Sequence, residues 1–213
     1  MSENLERNPL SAEFLLAEFN ALQERAISLE EIKSGRLNFF LLVAGAIIAG
    51  LSSLYGNSTF SSMYLIGVLI SSVVLFLIGM LTLKNIVDYS IAIVSLYRRA
   101  GRIRRWFVDQ DSGLNKYVAF EPTDDRPKIK ISSNLLAWRG GEPILMVINM
   151  VSASALVGSA LSLLHYDIKP WIGMILVVPV VWFFQNLYIT RRLNERERLE
   201  IQRVNFSSLP EDN

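Results

Sequence analysis

Five arginines crowd into eight residues at Arg98, Arg99, Arg102, Arg104 and Arg105, with Trp106 directly behind them. At about 100° per residue, Arg98, Arg102 and Arg105 share one helical face, while Arg104 lies well round from it. Guanidinium groups so arranged suit three partners. One is the acidic helices of the same chain; another is an acidic surface on a soluble cytoplasmic protein. The third is a phosphate-bearing ligand, nucleotide or nucleic acid, held by bidentate contacts. No Gly-rich phosphate loop accompanies the arginines, so a nucleotide enzyme has no support.

The remaining chemistry is sparse. The single histidine, His165, stands two residues from Asp167, and two ligands on a loop do not make a metal site. The chain has no cysteine, which excludes disulfides, thiolate ligands and thiol catalysis. Glu142 and Asp88 fall just outside apolar runs and read as interfacial. No nucleophile, base and metal set converges anywhere, so the sequence points away from an enzyme and implies no cofactor.

Three amides stand out by position: Asn149, Gln185 and Asn186 lie inside long apolar runs. An amide facing hydrocarbon is unfavourable, so each is expected either to bond across to another helix or to line a wet lumen. The runs are Leu37–Tyr55, Met63–Leu83, Pro143–Leu164 and Trp171–Ile189. At 1.5 Å per residue they are roughly 28 to 33 Å long, enough to cross a hydrocarbon core. The hydrophobic content of 51% is therefore concentrated in four candidate transmembrane helices, and a soluble globular fold is excluded. Net charge is only +1, which gives no general argument for nucleic-acid binding.

Orientation follows from the basic residues. The links 56–62 and 165–170 hold one lysine, Lys169; the other basic residues flank the opposite ends of the spans. The positive-inside rule then places both termini and the middle segment in the cytoplasm of a cell with this protein in its inner membrane. Tyr55, Tyr64, Tyr166 and Trp171 mark the outer interface and Tyr188 the inner one. The organisation is a cytoplasmic N-terminal helix (1–36), a first hairpin (37–83), a cytoplasmic helix and loop (84–142), a second hairpin (143–189) and a C-terminal helix with its tail (190–213). The fold class is all-α, with four spans in two hairpins.

Within 1–36, Ser11 is a plausible N-cap, and Leu15, Phe19, Leu22, Ala26 and Leu29 follow a 4-3-4-3 spacing. Such a narrow apolar seam on a charged helix has three uses: packing on the middle segment of its own chain, self-association into a homo-oligomer, or lying on a membrane surface. Helical spacing continues from Met63 to Phe107, with Gly101 as a weak point or bend. The stretch 109–141 reads as loop with a small hairpin near Lys128–Ser132. A charged helix is expected at 191–203, and Pro179 is expected to kink span four. Small residues spaced by four, such as Ala46 and Gly50 or Ser154 and Gly158, allow close helix approach.

The run FLLAEFNALQERAISLEEIKSGRLNFFLLVAGAIIAGL (Phe14 to Leu51) and the later YRRAGRIRRWFVDQD resemble uncharacterised prokaryotic multi-pass membrane proteins. In those, a charged helix leads directly into a short hairpin of spans. Two- and four-helix membrane effectors of bacterial anti-phage defence are similarly arranged. The resemblance implies an oligomeric inner-membrane effector or pore-type subunit controlled from its cytoplasmic face. The residues themselves leave two alternatives standing: a membrane anchor that recruits a soluble partner, and a small channel or transporter subunit.

Overall fold

A computed structural model describes residues 9–54, 61–129, 141–164 and 169–207. Four α-helices carry the chain: α1 (Pro9–Leu54, 46 residues), α2 (Ser61–Gln110, 50), α3 (Glu142–Leu163, 22) and α4 (Pro170–Ile201, 32). Among the described residues there is no strand. Each helix contains a stretch long and apolar enough to cross a membrane. α2 keeps its length because no proline interrupts it. It ends where Asp111 turns the chain into a 3-10 helix, Ser112–Lys116, by accepting a hydrogen bond from the Gly113 amide at 2.9 Å.

One local expectation needs correction. Ser11 lies inside α1, because helix is already formed at Pro9, whose fixed φ suits a first turn. Gly101 does not break α2; its role is described below. The charged helix at 191–203 is the end of α4, which continues through Pro179 without interruption as far as Ile201. Part of the Lys128–Ser132 hairpin, together with Tyr55, His165, Tyr166 and Asp167, lies outside the described residues.

The chain divides into two units, one comprising 32–89 and 131–193 and the other 1–31, 90–130 and 194–213. Both hairpin ranges read from the sequence, 37–83 and 143–189, fall within the first, here the apolar unit. Its core joins Phe40 and Ala44 of α1, Leu75, Leu83 and Ile86 of α2 and Leu145 and Met146 of α3, with Trp182 and Ile189 of α4 against it. Large apolar side chains also face outward: Phe39 and Leu42, Ile70 and Leu77, Val147 and Val151, Leu176 and Phe184 are all exposed. The buried face of α3 is instead rich in small and polar residues, Asn149, Ser152, Ala153, Ser154, Gly158 and Ser159. One end of the unit is tied by charge. Lys33 of α1 pairs with Glu142 of α3 at 3.0 Å, Arg192 of α4 pairs with Asp88 of α2 at 3.1 Å, and Arg36 stacks 5.3 Å from the Tyr89 ring.

In the other unit, here the polar unit, Leu22 and Ala26 of α1 pack on Leu96, Ala100 and Ile103 of α2, flanked by Leu15, Phe19, Leu29, Tyr97 and Phe107. The α2 residues 96, 100, 103 and 107 repeat the 4-3-4 spacing of the α1 seam, so two matching stripes interlock. Of the five seam residues, Leu22 and Ala26 are buried by their own chain and Leu15, Phe19 and Leu29 are partly buried. Ala26 is fully buried. Its replacement by Leu is expected to cost about 1–3 kcal/mol through overpacking. Replacing the exposed Phe14 by Ala should stay within about 0.5 kcal/mol. Unfolding midpoints of the detergent-solubilised protein check this, and equal effects would contradict the seam.

Candidate functional site

Two groups of polar residues remain once helices and cores are assigned. The first is the arginine face of α2 in the polar unit. Arg98 is 2% exposed. Its Nη2 donates to both carboxylate oxygens of Glu197 on α4, at 3.0 and 2.9 Å, and its Nε donates to the Pro127 carbonyl at 3.0 Å. Glu197 also accepts the Ile129 amide at 3.0 Å. One buried ion pair therefore fastens the 127–129 loop to two helices.

Arg102 makes the second fastening. Its Nε donates to Asp124 Oδ2 at 2.6 Å, and its Nη2 donates to the Arg203 carbonyl. Asp124 is 1% exposed. It accepts the Asn205 and Phe206 amides at 3.0 and 2.8 Å, and its own amide donates to the Phe206 carbonyl at 3.0 Å. A carboxylate so deeply buried is tolerable only with this many charge-assisted partners. Gly101 explains itself here. A Cβ at this position would collide with the Thr123 carbonyl oxygen, so glycine lets the loop backbone lie directly on α2.

The outer members of the cluster are looser. Arg105 pairs with Asp109 one turn on, at 2.8 Å, with both side chains substantially exposed, and its guanidinium lies 6.0 Å from the Phe206 ring. Arg104, round the helix, sits between the rings of Phe19 at 5.3 Å and Phe120 at 5.0 Å, and burial lowers its pKa from the usual arginine value. Nearby, Tyr97 donates to Glu30 at 3.1 Å; burial and this carboxylate raise the phenol's pKa. Of the three partners suggested for Arg98, Arg102 and Arg105, the geometry supplies the first, acidic groups of the same chain. The sequence did not reveal which ones. Glu197 is 99 positions from Arg98 and Asp124 is 22 from Arg102, so no local spacing signals either pair.

The second group lies in the apolar unit. Hydroxyls there satisfy themselves on their own helices, as Thr82 does on Ile78 and Ser152 on Ile148 at 2.8 Å, or on a neighbour, as Ser154 does on the Met174 carbonyl at 3.1 Å. Asn186 likewise donates to the Trp182 carbonyl at 2.9 Å. Asn149 and Gln185 differ. Asn149 is fully buried; its Nδ2 meets only the Met80 sulfur at 3.7 Å, and its Oδ1 has no protein donor. That oxygen occupies the place where a side chain at Gly79 would stand. Gln185 is 1% exposed, and neither its Nε2 nor its Oε1 has a protein partner. Sequence spacing located both amides but could not show that Gly79 makes room for one of them.

Among the described residues, no three histidine, aspartate or glutamate side chains gather where they could hold a metal ion. The arginine contacts give a graded expectation. Glu197→Ala strands Arg98 in a buried position and should cost about 3–5 kcal/mol. Arg105→Ala breaks an exposed pair and should cost about 0–1 kcal/mol. Denaturant unfolding of the two variants measures the difference, and similar costs would contradict the buried geometry. No protein family, curated protein or solved structure matches the chain.

Proposed function

We propose that this chain is a non-enzymatic, oligomeric inner-membrane protein of four spans, with both termini cytoplasmic. In this reading it acts as a membrane effector or pore-type subunit controlled from its cytoplasmic face. The observation that carries it is the pair of buried amides. If Asn149 and Gln185 served only to hold helices together, they would bond across helices, and apart from the weak Asn149–Met80 contact they do not. An amide buried without partners costs about 1–3 kcal/mol, so leucine would be the better residue for packing alone. Water supplies the missing partners when the helices part, and the amides then line the path. The compact apolar unit corresponds to a closed state. One unit of four helices is too small to enclose a wide pore, so conduction takes several copies. The setting in prokaryotic anti-phage defence rests on the resemblance of the charged helix leading into a hairpin.

The anchor alternative placed its soluble partner on residues 109–139 and the arginine cluster, of which Arg98, Arg102 and Arg105 share a face. Arg98 and Arg102 are engaged within the chain, which weighs for the effector reading. Membrane potential, followed by a voltage-sensitive dye in bacteria expressing the full chain, tests it. High expression is expected to depolarise the cells. Asn149→Leu together with Gln185→Leu should abolish the effect at equal membrane levels, while raising thermal stability. Unchanged potential with abundant wild-type protein, or depolarisation indifferent to the double replacement, would overturn it.

A further inference from the structure

The last described turn of the chain is held by main-chain groups, and this has a functional reading. Asp124 and Phe206 exchange hydrogen bonds in both directions: the Phe206 amide donates to the Asp124 carboxylate at 2.8 Å, and the Asp124 amide donates to the Phe206 carbonyl at 3.0 Å. The Asn205 amide adds a second bond to the same carboxylate. Arg102 closes the ring, reaching Asp124 with one nitrogen and the Arg203 carbonyl with another. The segment 203–206 is thus clipped to α2 and to the 121–129 loop around one buried carboxylate.

We propose that 203–206 is a latch with Asp124 as its catch, and that its release loosens the end of α4 and opens the conducting path. The inference rests on the pore reading of the apolar unit. Three features support it. The clip uses backbone atoms of the tail, so it closes by position and opens as one piece. The tail follows directly from α4, the helix that also bears Glu197 and, twelve residues earlier, Gln185. The catch also depends on a second fastening, the Arg98–Glu197 pair, which holds the adjoining 127–129 loop to α4. In the proposal the two fastenings, which hold one continuous stretch of chain from 124 to 129, release together. A cooperative release of this kind is what a switch requires.

The test uses the full chain and two ways of opening the latch. Asp124→Asn keeps the shape, makes the bonds to one oxygen neutral and sets a donor-only NH2 group against the donors at the other position. Gly101→Ala drives the Thr123 carbonyl off α2 while favouring helix, so it opens the loop without touching a charge. Arg203→Ala is the control, because only the carbonyl of that residue takes part. Hydrogen exchange of the C-terminal peptide should rise about tenfold in Asp124→Asn, as expected when charge-assisted hydrogen bonds are weakened. It should also rise in Gly101→Ala and stay unchanged in Arg203→Ala. The two opening variants should depolarise cells at an expression level where the wild type leaves the potential intact. Unchanged exchange in both, or a released tail with unchanged potential in both, would overturn the latch. Depolarisation by the opening variants that survives replacement of Asn149 and Gln185 by Leu would support the latch and sink the assignment of the amides to the path.

Discussion

A unit that turns Leu42, Leu77, Val151 and Phe184 outward while keeping Asn149, Ser152, Ser154 and Gln185 inside is favourable only in a solvent that is itself apolar. That constraint governs the rest of the molecule. In hydrocarbon there is no hydrophobic force to press helices together, so they associate through close packing and through the few polar contacts they can make. Ser154 bonding the Met174 carbonyl is a contact of this kind, while the ion pairs Lys33–Glu142 and Asp88–Arg192 lie just outside the apolar runs. Serines and threonines bonded to their own helix incur little cost there. Asn186 also reaches a carbonyl of its own helix, whereas Asn149 and Gln185 do not, which is why these two are conspicuous.

The polar unit obeys the opposite rule. Its stripe of Leu22, Ala26, Leu96 and Ile103 is a compact apolar core, in which each of the larger aliphatic side chains contributes up to about 1.5–3 kcal/mol when taken out of water. The charges above it do different work. Buried pairs such as Arg98–Glu197 and Arg102–Asp124 add little net stability, since desolvation offsets most of their attraction. What they add is dependence: each holds part of the 124–129 stretch of the loop, and removing one partner leaves the other charge stranded. A structure fastened in this way is stable when complete and prone to release as a block.

Much of the architecture was legible because it rests on period and composition. Runs of 19 to 22 apolar residues and the 4-3-4-3 seam at Leu15 to Leu29 need only one-dimensional reading. The failures are three-dimensional. Gly101 read only as a weak point or bend because propensity sees only the missing side chain; it is also a landing place for the Thr123 carbonyl. Charge replaces apolarity at Arg191, yet backbone hydrogen bonding continues to Ile201, so the apolar span and the charged helix form one element, a continuity that composition alone does not reveal. Asp124 gave no signal at all, being one acidic residue in a polar loop until Arg102 and the chain end close around it.

The absence of cysteine from the chain makes one measurement unusually direct. Single cysteines at Lys169, beside the short link before α4, and at the exposed Arg99 of α2 can be labelled with a membrane-impermeant maleimide in intact cells. A four-span chain with cytoplasmic termini requires Lys169→Cys to react from outside and Arg99→Cys to react only after permeabilisation. Labelling of Arg99→Cys in intact cells, or protection of Lys169→Cys there, would contradict the topology on which the closed-pore account stands.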